Sequence, residues 1–238
     1  MKQAMKQNFM KTRASIFAGC LLVALNGVSL KNAVSEDSTS PAPKAATEKK
    51  ELPKTPVVFP KEREVATLAA GCFWSMEAIY KQIKGVEKAE PGYAGGHVAK
   101  PTYEQVGQAN TGHAEAVQVT FDPKVISYGE LVRVLLTTRN PTTLDMQEPD
   151  EGPQYRSVIF AHNEEQAKVA REMIAQITAS KIWKNPIVTP VTEFSNFYRA
   201  EDYHLDYFAL HPNERYSKYV MAPEIAHFRA QFKEILKP

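Results

Sequence analysis

Cys72 is the residue of this sequence best placed to act as a nucleophile. It stands in Ala70-Gly71-Cys72-Phe73-Trp74-Ser75-Met76-Glu77, just after a strand-like run, Glu64 to Ala69, and at the start of an amphipathic helical pattern. A turn from strand to helix gathers unpaired amide N–H groups and the positive end of the helix dipole. That setting is expected to lower a thiol's pKa and raise its reactivity. Phe73 and Trp74 follow directly and could wall an apolar pocket beside the sulfur. The alternative is a small buried hydrophobe, the ordinary role of an isolated cysteine. The other cysteine, Cys20, lies in an N-terminal leader described below. If the leader is removed, an intramolecular disulfide, a CxxC redox pair and a multi-cysteine zinc site are all excluded.

Glu115 is the most informative carboxylate. It alternates with Val117, Val119 and Phe121 on the apolar side of a strand-like run, His113 to Phe121. Burial there would keep the carboxyl protonated and able to donate a proton; the competing reading is a strand end still in water. His113 and His204 allow a cysteine hydrolase or acyltransferase, although nothing in their spacing selects it. Tyr103, Asp150, Tyr155 and Glu201-Asp202-Tyr203-His204 sit in loop-like stretches, where polar residues often serve function. A third reading is a non-enzymatic binder of oxidised or Met-rich segments at a Phe73/Trp74 pocket. The residues alone lead to a thiol nucleophile, an aromatic wall and a carboxylic acid.

The elements that must position these groups follow from periodicity. Phe73, Met76, Tyr80 and Ile83 mark a helical stripe that ends at Gly85, and Trp74 falls off that stripe, free to face a pocket. Val86 to Tyr93 reads as extended, turning at Ala94-Gly95-Gly96. Ser127 with Glu130 forms a capping box for a helix to about Thr138. Arg139 to Pro153 reads as a loop and Arg156 to Ala161 as a strand. Asn163 and Gln166 cap a helix with Ala170, Met173, Ile174 and Ile177 on one face, and Pro186 to Phe194 is the last strand. Beyond Asn196 the pattern is irregular and aromatic, with one helix over 200–209. The order βαββαβ predicts an α+β domain, a two-layer α/β sandwich with a ferredoxin-like split βαβ core and an irregular C-terminal extension.

The chain has 238 residues, 43% of them hydrophobic, enough for a substantial core. Its net charge of +2 gives no case for nucleic acid as a partner. Residues 1–33 hold five of the 29 basic residues and no acidic ones, leaving 24 against 27 and a net charge of −3 for the remainder. A basic start to Arg13, then an apolar run from Ala14 to Leu30 that is short for a membrane span, reads as a signal peptide or N-terminal anchor. Phe17-Ala18-Gly19-Cys20 loosely resembles a lipid-attachment motif. Residues 34–60, rich in Ser, Pro, Ala, Lys and Glu, read as a flexible linker. The catalytic domain is expected over 61–238, exported to the periplasm or secreted, or tethered to a membrane through its N-terminus.

Taken together, these motifs resemble the A family of peptide-methionine sulfoxide reductases. The resemblance runs in order through Gly71-Cys72-Phe73-Trp74, Gly92-Tyr93-Ala94-Gly95-Gly96, Pro101-Thr102-Tyr103, Thr111-Gly112-His113-Ala114-Glu115, Gln154-Tyr155-Arg156-Ser157 and Ala200-Glu201-Asp202-Tyr203-His204. It implies reduction of the S epimer of methionine sulfoxide, free or in oxidised proteins. Cys72 would attack the sulfoxide sulfur, Glu115 would protonate the oxygen, Tyr103 and Tyr155 would hydrogen-bond it, and Phe73 and Trp74 would hold the terminal methyl. Asp150 matches a position near the site. The family binds no cofactor or metal; a monomer served by an external thiol reductant, thioredoxin, glutaredoxin or similar, is implied. Two departures stand out. Many relatives carry a second cysteine in the C-terminal tail or where this chain has Gly107, and residues 210–238 contain none. Arg139-Asn140-Pro141-Thr142 replaces the usual His-Asp-Pro-Thr and reads as structural.

Overall fold

Small and branched apolar residues make β1 (Glu64–Ala69) an inner strand, with Leu68 opposite Val117 on one side and Ile159 on the other. The computed structural model describes residues 63–238; the leader, Cys20 and the linker lie outside the described residues. After β1 come α1 (Phe73–Tyr80), β2 (Val86–Ala94), α2 (Tyr103–Gly107), β3 (Ala114–Phe121) and α3 (Tyr128–Thr138). A small hairpin, β4 (Met146–Gln147) and β5 (Asp150–Glu151), precedes β6 (Val158–Ala161) and α4 (Glu164–Ser180). β7 (Val191–Glu193), β8 (Phe197–Arg199), α5 (Tyr207–Leu210) and α6 (Ala222–Gln231) complete the domain.

The large sheet has the order β7-β6-β1-β3-β2-β8. Only β6–β7 is parallel, so β1 and β2 run the same way with β3 between them. The inner strands β6-β1-β3-β2, with α1 after β1 and α3 after β3, form the expected split βαβ core. One face carries the main core: Phe73, Met76 and Tyr80 of α1, Leu131 and Leu135 of α3, and Met173 and Ile177 of α4 pack with Leu68, Val117 and Val119. The other face holds a smaller cluster, Ala69, Ala116, Val158 and Phe160, covered by Phe194 and Phe197. The helix starts follow the predicted caps: Ser127 Oγ accepts the Glu130 N–H at 3.1 Å, and Asn163 Oδ1 that of Gln166 at 2.9 Å.

Several expected boundaries are corrected. α1 stops at Tyr80, where the chain tightens into turns whose N–H groups reach back three residues, Gln82 to Ile79 and Ile83 to Tyr80. The turn before Tyr103 builds a complete capping box of Thr102 and Gln105 and so starts α2. The predicted loop after Arg139 contains the β4–β5 hairpin. The strand expected over 186–194 shrinks to three residues, because Pro186 and Pro190 have no N–H to give a ladder. It is not the last strand, since β8 adds to the free edge of β2 with Tyr93 opposite Tyr198. The C-terminal extension carries α6, whose Ile225 and Phe228 are buried and whose start carries Pro223 in the first turn, and a 3-10 turn, Lys233–Ile235, follows it.

Candidate active site

The turn that carries Cys72 is tied down from three sides. Cys72 is the N-cap of α1 with extended backbone, as its place in the sequence predicts. Gly71 has φ 74°, which favours glycine, and a Cβ there would collide with the Arg139 guanidinium and with Gln147. The Gly71 N–H donates to the Tyr155 carbonyl at 3.0 Å, and Arg139 Nε donates to the Ala70 carbonyl at 2.9 Å. The thiol itself is buried, 5% exposed. Its pKa contradicts the dipole argument. Burial pushes it well up, and the nearby carboxyls of Glu115 and Asp150 push the same way; the Trp74 N–H and the Tyr216 hydroxyl oppose this without reversing it. Desolvation of a whole charge outweighs the partial charges of a two-turn helix.

Glu115 is where the strand pattern put it, buried on the main-core face of β3. Its Oε2 accepts the Phe73 N–H at 3.0 Å, so the carboxyl is bonded to the residue next to Cys72. Burial raises its pKa to about 8; the Phe73 N–H pulls down and Asp150 pushes further up. The carboxyl is therefore predominantly protonated at neutral pH.

Tyr103, Tyr155 and Asp150 converge on the same point. Tyr103 is the first residue of α2, its N–H held by Glu201 Oε1 at 3.0 Å. Tyr155 closes a 3-10 turn, Pro153–Tyr155. Burial raises both phenols, and the negative forms of Glu115, Cys72 and Asp150 act on each, so both remain hydrogen-bond donors. Asp150, from the hairpin, accepts a hydrogen bond from Tyr216 in the C-terminal extension. Burial lifts its pKa to about 6, with Tyr216 and Arg139 holding it down, so it is mostly ionised at neutral pH.

The aromatic wall is a stack. Phe73 lies 6.3 Å from the Tyr103 ring and 5.8 Å from Tyr93. Trp74 does face away from the helix stripe, and Tyr207 stacks on it at 3.7 Å between centroids. The indole N–H donates to His204 Nδ1 at 3.0 Å. This fixes the His204 proton on Nε2, which faces Glu201 Oε2 at 3.6 Å, beyond hydrogen-bond range. Burial lowers the His204 pKa to about 4, so the ring is neutral. His113 is also committed: Nδ1 accepts the Gly96 N–H at 3.1 Å and Nε2 meets the Val98 carbonyl at 2.8 Å. Neither ring offers Cys72 a free base, which removes the geometric support for the hydrolase reading.

The structure thus brings together Cys72, Phe73, Trp74, Tyr103, Glu115, Asp150 and Tyr155. Sequence reasoning missed Tyr207 and Tyr216 and the role of His204 as the acceptor for Trp74. The one signal in the sequence was the aromatic richness of the segment after Asn196.

The family model for peptide methionine sulfoxide reductase matches residues 64–236. Similar proteins include the peptide methionine sulfoxide reductase MsrA of Polynucleobacter asymbioticus, 49% identical over 175 residues, covering 74% of this chain and 92% of that one. That of Thermus thermophilus is also 49% identical over 175 residues, covering 74% of this chain and 98% of that protein. Among solved structures, Mxr1 from Saccharomyces cerevisiae in reduced form matches with a TM-score of 0.60 at 34% identity, covering 66% of this chain and 90% of that one. The family model and the similar proteins span most of the chain, the solved structure shares its fold, and the chain belongs to the peptide methionine sulfoxide reductase family.

Proposed function

We propose that this enzyme reduces the S epimer of methionine sulfoxide, free or in oxidised proteins, using Cys72 as nucleophile and Glu115 as general acid. The bond from the Phe73 N–H to Glu115 Oε2 carries the reading, because it sets a protonated carboxyl beside the sulfur. A sulfoxide oxygen leaves its sulfur once it is protonated, and an acid with a pKa near neutrality is suited to that step. The methyl group of the substrate enters the Phe73/Trp74 wall, and Tyr103 and Tyr155 donate to the sulfoxide oxygen.

The proton balance uses the second carboxyl. Cys72 loses its proton to ionised Asp150, with the Tyr216 hydroxyl between them, and the thiolate attacks the sulfoxide sulfur. Glu115 protonates the oxygen, which passes to the Cys72 sulfur. The substrate sulfur gains two electrons as methionine, and Cys72 loses two as sulfenic acid. Solvent returns the proton from Asp150 to Glu115. An external thiol then displaces hydroxide, taken off as water, and a second thiol releases Cys72 and leaves a disulfide. A small dithiol protein such as thioredoxin or glutaredoxin fits, since Cys72 is the only cysteine among the described residues. Every side chain of the site comes from one chain, so a monomer suffices. We place the enzyme outside the cytoplasm on the leader and linker pattern of residues 1–60.

The test is Cys72→Ser assayed on S- and R-sulfoxide peptides. Loss of all S-sulfoxide reduction, with one sulfenic acid per wild-type chain when reductant is withheld, supports the reading. Reduction that survives in Cys72→Ser overturns it.

A further inference from the structure

Arg139 belongs to a stretch that the sequence reads as structural, yet its guanidinium is 3% exposed and lies against the nucleophile's turn. Its Nε holds the Ala70 carbonyl at 2.9 Å, two residues before Cys72. Its Nη1 pairs with Glu224 Oε1 of α6 at 2.6 Å. Burial works against the charge, and Glu224 more than offsets that, so the guanidinium stays charged. Its field also reaches Cys72, Tyr216 and Asp150. A cavity of about 280 Å³ opens beside the pair, lined by Asn140, Met146, Gln147 and Trp183, and Glu224 Oε2 is buried without a hydrogen-bond partner.

The titratable groups that act on Cys72 are Glu115 on β3, Asp150 on β5, the phenols of Tyr103, Tyr155, Tyr207 and Tyr216, and Arg139 after α3. Both carboxyls oppose a thiolate, and Arg139 is the cation of this group. A unit charge in a poorly hydrated setting acts over several ångströms with far more effect than in water. The guanidinium fork can bond a carbonyl and a carboxylate together, which an ammonium cannot do with the same geometry.

We propose that Arg139 is a positioning residue for Cys72: it anchors the nucleophile's turn through Ala70 and sets there a buried positive charge that favours the thiolate, attenuated by Glu224. The proposal rests on Cys72 being the nucleophile. A purely structural pair and an electrostatic one differ in one respect. Removing Glu224's charge leaves Arg139's charge unopposed, so the two single substitutions move the thiol in opposite directions.

The experiment measures iodoacetamide alkylation against pH in the full chain, read at Cys72 by mass spectrometry. Arg139→Gln is expected to raise the midpoint by about one unit, about tenfold less thiolate at a fixed pH below the midpoint. Glu224→Gln is expected to lower it. The double substitution, a neutral pair, is expected above Glu224→Gln alone; that comparison isolates the Arg139 charge if Arg139→Gln does not fold. A midpoint unchanged in Arg139→Gln, or raised in Glu224→Gln, overturns the proposal. Sulfoxide reduction by the wild-type chain is assayed separately, so failure of the proposed activity is distinguished from failure of this assignment.

Discussion

The Phe73 N–H donates to Glu115 Oε2 at 3.0 Å, joining residues 42 positions apart in the chain. The bond ties the Glu115 carboxyl to the first turn of α1, the helix that Cys72 caps. It also lowers a pKa that burial would otherwise raise further, leaving it at about 8.

Glu115→Gln keeps the acceptor for Phe73 and removes the proton. The expected result is a fall in kcat of about 10²-fold or more with KM little changed, measured on an S-sulfoxide peptide. In the wild type, activity should fall as pH rises through about 8, where the acid ionises. Stability carries the same signature. Between 4.5 and about 8 the folded chain keeps a proton that the unfolded chain releases, so stability declines as pH rises across that window. Urea unfolding at several pH values should show a weaker decline in Glu115→Gln.

Tyr216→Phe tests the other carboxyl. The hydroxyl helps hold Asp150 at about 6, so its loss should move the acid limb of the kcat/KM profile to higher pH. A hydrogen bond to a charged group contributes about 1.5–3 kcal/mol, which corresponds to roughly one to two pH units. An acid limb that stays in place would detach Asp150 from that limb.

His204→Phe keeps an aromatic ring and strands the Trp74 indole N–H. The expected cost is about 1–3 kcal/mol of stability, read by denaturant unfolding, with a raised KM as the Trp74 ring loses its fixed orientation. A change confined to kcat, with stability intact, would instead make His204 a proton-transfer group.

Glu77→Ala probes how the C-terminal extension is docked. Glu77 is 1% exposed; its oxygens accept the Asp206 N–H at 3.0 and 3.1 Å and the Lys81 ammonium at 2.8 Å. Those bonds set Asp206 in the left-handed region and place Tyr207 over Trp74. Loss of about 1–3 kcal/mol and a higher KM are expected, because the roof of the aromatic wall loosens.

α3, α4 and β3 were legible because their apolar residues recur with a simple period, and β1 and β6 as short apolar runs. Cys72, Phe73 and Trp74 were legible as a motif, and Glu115 through the alternation of β3. What escaped has a common physical origin. Tyr207 and Tyr216 act through contacts with residues more than 60 positions away, and their own neighbours show no periodicity. β8 is three residues long and owes its existence to the free edge of β2. Arg139 reads as structural, but its tie to the Cys72 turn is hidden in the sequence because its anion, Glu224, lies 85 positions further along. The thiol's pKa was misjudged because a local dipole is visible in sequence and a shell of buried neighbours is not.

The hydrogen bond from Trp74 to His204 spans 130 residues. A ribosome therefore delivers Cys72 and Trp74 well before His204 and Tyr207, which pack on that indole. Contacts of such separation close slowly, after the local ones. A chain cut short before Tyr216 would retain the strands of the sheet and the thiol, yet lack Asp150's hydroxyl partner.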